Sequence, residues 1–108
     1  MVAFPYTPAK ESVLTKENGT KALSFFRQAL KWQPDLANAF VGIAWVYGTA
    51  ILQPDSAEYY AIRAAELTPQ WVVPFAIVAF FYSETNQYDR AKYFLKRARD
   101  IDSNSSIL

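Results

Sequence analysis

The stretch Ala91-Lys92-Tyr93-Phe94-Leu95-Lys96-Arg97-Ala98-Arg99-Asp100-Ile101-Asp102-Ser103 decides the fold, because its spacing occurs three times in the chain. Ala91-x3-Leu95-x2-Ala98-x4-Ser103 matches Ala57-x3-Ala61-x2-Ala64-x4-Pro69, and both match Ala22-x3-Phe26-x2-Ala29-x4-Pro34. Residues spaced by three and four share one face of an α-helix, so each copy reads as a helix with a narrow, small-residue face. A second pattern precedes two of the copies: Phe40-x2-Ile43-Ala44-x2-Tyr47 and Phe75-x2-Val78-Ala79-x2-Tyr82, each beginning six residues after Pro34 or Pro69. Successive copies lie 34 or 35 residues apart, and the extra residue falls between Tyr47 and Ala57, where Ile51-Leu52-Gln53-Pro54-Asp55 reads as a turn. A period of this length marks stacked supersecondary units, each a helix pair that buries its apolar face only against a neighbour.

Punctuation residues divide the chain into six expected helices. Thr7 is an N-cap with Pro8 at the first helical position, which places a short helix over 8–16. Asn18-Gly19 reads as the turn that follows, and a second helix is expected from Thr20 to Trp32, ended by Pro34. Asp35 is the expected cap of a helix reaching Leu52, and Asp55 with Glu58 three residues on reads as a capping box for a helix ending at Leu67. The fifth helix is expected from Gln70 to Thr85, with Pro74 in its first turn, and the sixth from Gln87 to Ile101. These give an all-α single domain of three antiparallel helix pairs, over about 3–34, 37–69 and 72–104, with 105–108 as a tail. Ala44 and Ala79 allow close helix approach beside the large residues Phe40, Tyr47, Phe75 and Tyr82, and Ala57, Ala61 and Ala64 make the fourth helix thin on one face, so that neighbouring first helices with Trp45, Tyr47 or Tyr82 approach it closely.

Composition narrows the function classes. The chain has 108 residues, enough for one core, with 52% hydrophobic residues and a net charge of +1. That balance argues against disorder and against bulk nucleic-acid binding, which needs a charge excess. Lys92, Lys96 and Arg99 share a face of the sixth helix, but Asp89, Asp100 and Asp102 dilute it and the solvated-face reading is preferred. Cysteine and histidine are both absent, which removes thiol nucleophiles, imidazole bases and the usual zinc ligands. The carboxylates are scattered and no Gly-rich phosphate loop is present, so neither an enzyme, a cofactor nor a metal site is expected. The apolar stretches 36–53 and 67–83 are interrupted by polar residues and proline, and neither reads as a membrane span. The amino terminus has no signal-peptide pattern, which makes the cytoplasm the default expectation.

The repeated residues resemble the tetratricopeptide repeat, a 34-residue pattern of aromatic, small, tyrosine, alanine, aromatic and proline positions. The resemblance covers about residues 3–104; Tyr6, Ala9, Lys10 and Val13 depart from the pattern in the first copy, and Ser103 replaces the last proline. It implies a short right-handed α-solenoid and a non-catalytic role in binding proteins, with the first helix of each pair lining a concave groove. In that register the groove residues are Asn38, Val41, Trp45, Gly48 and Thr49, followed by Val73, Ala76, Phe80, Ser83 and Glu84. This set is largely apolar, which implies an apolar or amphipathic peptide anchored on Trp45 and Phe80, with Asn38 hydrogen-bonding its backbone. The cationic clamp by which one branch of the family holds a terminal carboxylate is missing, since Thr7, Glu11, Gly42, Val73 and Ile77 stand at those places. Two alternatives share the fold: a homo-oligomeric scaffold joined through the groove or through an uncapped end carrying Phe94 and Ile101, and a chaperone similar to those of type III secretion, which shield hydrophobic segments.

Overall fold

The computed structural model describes residues 16–107, the last four as backbone only. Five helices follow one another: α1 (Lys16–Trp32), α2 (Ala37–Thr49), α3 (Pro54–Leu67), α4 (Val73–Glu84) and α5 (Tyr88–Ile107). There is no strand among the described residues. Each helix packs on the next in sequence, and α2 also packs on α4. This is the arrangement of a short helical solenoid, in which α2 pairs with α3 and α4 with α5. Residues 8–15 of the helix expected over 8–16 lie outside the described residues, and Lys16, its expected last residue, opens α1.

The two complete pairs are built alike. Tyr60 of α3 is stacked between Phe40, at 6.5 Å, and Tyr47, at 5.5 Å. Phe94 of α5 is stacked between Phe75, at 6.2 Å, and Tyr82, at 6.0 Å. An arginine lies over the outer ring each time, Arg63 over Phe40 at 5.6 Å and Arg97 over Phe75 at 4.7 Å. Such ring pairs and cation–π contacts add to simple burial, so the repeat spacing encodes an aromatic clasp as well as an apolar face. The expected packing residues Phe40, Ile43, Ala44, Phe75, Val78, Ala79 and Tyr82 are buried, with Tyr47 half-buried. Ala57, Ala61 and Ala64 are fully buried, in keeping with the thin face expected of that helix.

Five local expectations are corrected. Asn18-Gly19 is not a turn: both residues lie inside α1, and Gly19 is buried. A side chain at Gly19 would meet the Ala50 Cβ at 2.7 Å, so the glycine is present for close helix approach, not for chain reversal. Asp35 does not cap α2, whose N-cap is Leu36 with no side-chain hydrogen bond. Asp55 and Glu58 form no capping box; α3 begins at Pro54 after Gln53, and both carboxylates face Tyr82 of α4 instead. The fifth helix of the expectation, α4, starts at Val73 instead of Gln70, and α2 stops at Thr49, short of Leu52.

The carboxyl end differs as well. The stretch 105–108 expected as a tail continues α5 as far as Ile107, past the expected end at Ile101. Phe94, expected on an open end, is 3% exposed, clasped by Phe75 and Tyr82. Ile101 is half-buried.

The extra residue of the middle repeat sits where it was expected. After α4 the chain reverses through Asn86 in the left-handed region (φ 63°), and the Gln87 N–H donates to Tyr82 O at 2.9 Å. After α2 the same reversal uses Leu52 (φ 64°), and the Gln53 N–H donates to Tyr47 O at 2.7 Å, one residue further along the chain. Both close a helix by satisfying a terminal carbonyl.

All three glycines of the chain lie in helices and none has a positive φ. Gly42 is filled by the ring of Phe26 from α1, and Gly48 by the ring of Phe81 from α4. We expect Gly48→Ala to lower stability despite the better helix propensity of alanine, because overpacking costs about 1–3 kcal/mol against about 1 kcal/mol gained. Urea denaturation checks the sign, and Phe81→Leu in the same chain should recover most of the loss.

Candidate functional site

The groove residues expected from the sequence are spread over α2 and α4. On α2, Asn38 is exposed, Trp45 is 44% exposed, and Val41, Gly48 and Thr49 are half-buried. The Thr49 hydroxyl is turned back on its own helix, donating to Trp45 O at 2.7 Å. On α4, Phe80 is 51% exposed and Val73, Ala76, Ser83 and Glu84 are exposed. The two sets do not have the same surroundings.

The α2 set supports α4. Phe81, which is 2% exposed, lies 5.4 Å from Trp45 and over Gly48. Ala44 of α2 and Ala57 and Ala61 of α3 share a buried cluster with Val78, Phe81 and Tyr82 of α4. Tyr82 completes the contact with polar atoms: its hydroxyl donates to Glu58 Oε1 at 2.5 Å and lies 3.0 Å from Asp55 Oδ1. Arg90 of α5 reaches the same Glu58 oxygen at 2.6 Å and its guanidinium lies 4.9 Å from the Tyr82 ring. Glu58 therefore ties α3 to both helices of the next pair.

The α4 set is open. Ala76, Ala79, Phe80 and Ser83 line one wall of a cavity of about 680 Å³, and Tyr88, Ala91, Lys92 and Leu95 of α5 line the other. Three expected groove residues, Ala76, Phe80 and Ser83, thus meet residues of α5 that sequence reading did not include. Phe81 was also missed, and its signal was the pairing of a large residue in α4 with Gly48, 33 positions earlier on the facing helix. The expected basic face is solvated: Lys92, Lys96 and Arg99 are all exposed, and Lys96 pairs with the also exposed Asp100 at 3.2 Å.

Among the described residues no group of three His, Cys, Asp or Glu side chains comes together to hold a metal ion. No described helix is long and apolar enough to cross a membrane. The described surface has an apolar slot flanked by the aromatic rings of Phe80 and Tyr88 and by Lys92.

The chain is similar to a subunit of a complex. It is 28% identical over 104 residues to anaphase-promoting complex subunit 3 of Schizosaccharomyces pombe, a match that takes in 96% of this chain and 16% of that protein. No protein-family model matches the chain.

Burial, followed by the hydrogen bond to Glu58, pushes the Tyr82 phenol well above its ordinary value. A phenol whose ionisation is raised on folding contributes stability that is present in full below its unfolded value, about 10, and is lost as pH rises above it through the folded value. The chain should therefore lose stability above about pH 10, and Tyr82→Phe should lose less over the same interval. Urea midpoints at pH 8 and pH 10.5 for the two proteins check this, and the difference between them removes the common contribution of the other tyrosines and lysines.

Proposed function

We propose that the chain is a non-catalytic protein-interaction module whose α2–α4 face takes an apolar or amphipathic helix, with Trp45 and Phe80 as its anchors. The observation that carries this reading is the open slot beside Phe80: a half-exposed aromatic ring over small residues, in a cavity of about 680 Å³. Partly exposed aromatic residues beside a slot are the usual anchors of a protein interface, and small residues around them admit a helix backbone closely. The similarity to anaphase-promoting complex subunit 3 supports the same reading, since a subunit of a complex acts through contacts with other chains. The residues Asn38, Val41, Thr49, Val73, Ala76, Ser83 and Glu84 form the remainder of the proposed surface, while Gly48 serves it indirectly by holding Phe81 in place.

Selection from a library of amphipathic helical peptides, followed by calorimetry, tests the reading. Trp45→Ala and Phe80→Ala should each weaken the selected peptide by about tenfold or more, as truncation of an anchor does, with unchanged circular dichroism. Affinity unaltered from that of the parent chain in both variants defeats it. Mass by light scattering across a dilution series separates the scaffold alternative, in which the occupant is a second copy of the chain and Trp45→Ala dissociates it.

A further inference from the structure

The exposed faces of α3 and α5 carry the same motif. Asp55, Tyr59 and Arg63 follow one another at intervals of four, and Asp89, Tyr93 and Arg97 repeat them 34 residues later. Residues four apart form one ridge along a helix, so each helix presents a carboxylate, a phenol ring and a guanidinium in a row. All six residues are exposed. The fold does not require the motif: α1 has Thr20, Ser24 and Gln28 in the same register and forms a helix without it.

The two ridges are held in the same way. Tyr59 stands edge-on against Tyr60 at 5.0 Å, and Tyr93 stands edge-on against Phe94 at 5.0 Å. Each phenol is thus braced by a clasp ring while its own ring faces solvent. Arg63 and Arg97 lie over Phe40 and Phe75, which places each guanidinium at the end of its ridge. The charges of the ridges are poorly matched inside the chain. Among the described residues neither Asp89 nor Arg97 has an ion-pair partner, and Arg63 stands 4.0 Å from Glu66. Asp55 meets the Tyr82 hydroxyl at 3.0 Å. The charges beside them are already committed, Glu58 to Arg90 and Lys96 to Asp100.

A ridge that reads acid, ring, base in one direction reads base, ring, acid in the other. It is therefore complementary to an antiparallel copy of itself, with ring on ring at the centre and each carboxylate opposite a guanidinium. That is the requirement of a twofold contact, in which the same patch serves both subunits. Tyr59 and Tyr93 hold the same place in successive repeats, so a single axis across the helices, through both phenols, turns each ridge onto its own copy. We infer that the α3–α5 face joins two copies of the chain about that axis, Asp55 and Asp89 of each pairing with Arg63 and Arg97 of the other. None of these residues lines the slot beside Phe80, so the contact is separate from the helix-binding reading above. Exposed ion pairs are individually weak and are screened by salt, so the dimer is salt-sensitive.

Analytical ultracentrifugation of the 108-residue chain across a concentration series tests this. The chain should dimerise at low salt, with affinity about tenfold or more lower at about 1 M salt, where charges are screened within about 3 Å. Asp89→Arg and Arg97→Asp each set like charges face to face across the axis, and each should weaken self-association about tenfold or more. An equimolar mixture of the two variants should associate again, because each then supplies the charge that the other lacks. Circular dichroism of both variants checks the fold, and recovery in the mixture is a result that an unfolded chain does not give. A parent chain that stays monomeric overturns the inference, as does a mixture that associates no better than its components. A dimer that ignores both charge variants and is dissociated by Trp45→Ala is joined through the α2–α4 face and overturns it too.

Discussion

The structure depends on the removal of side-chain volume at the helix crossings. Gly19, Gly42 and Gly48 each lie where another helix presses in, and Ala57, Ala61 and Ala64 give α3 a face with no width to spare. A helix can settle at two of these crossings because the glycine receives a ring, Phe26 at Gly42 and Phe81 at Gly48, while Gly19 admits Val46 of α2 and Ala50 at its C-cap. Dense packing then leaves little tolerance in either direction, since a missing ring opens a void and an added methyl group collides. The aromatic clasps around Tyr60 and Phe94 fix each pair internally, while the small-residue contacts fix one pair against the next.

Much of this could be read from the sequence because repetition supplies its own control. The spacing Ala-x3-x-x2-Ala, found three times, located α1, α3 and α5, and the Phe-x2-x-Ala-x2-Tyr pattern located α2 and α4. Apolar periodicity is a property of a whole helix face and survives single departures. Helix boundaries were less legible, because Asp35, Asp55 and Asn18-Gly19 have two physical uses each. An aspartate before a helix can cap it or point elsewhere, and Asp55 with Glu58 serves Tyr82 across the stack. A glycine after an asparagine can reverse the chain or admit a neighbour, and Gly19 admits α2. Only the tertiary partner decides, and it is remote in sequence.

The candidate surface was legible in part for the same reason. Register placed Trp45 and Phe80 at corresponding positions, and the structure gives those positions unequal fates. Trp45 flanks a helix already in place, whereas Phe80 flanks an open slot. One face of a repeated helix thus supports the next pair at α2 and lines an open slot at α4. Residues of α5 that complete the slot, Lys92 and Leu95 among them, lie on the second helix of the pair, which the groove register does not include.

The loop at Leu52 has a practical consequence for anyone who wishes to add to this chain. Its side chain is 71% exposed, and the turn absorbs one residue more than its equivalent at Asn86 while its final N–H reaches the same type of carbonyl. The connection tolerates length because its two ends are held by the helices and not by the loop. A reporter group or affinity tag grafted after Leu52 would therefore sit at a place where the architecture already accommodates a guest, away from the crossings on which the stack relies.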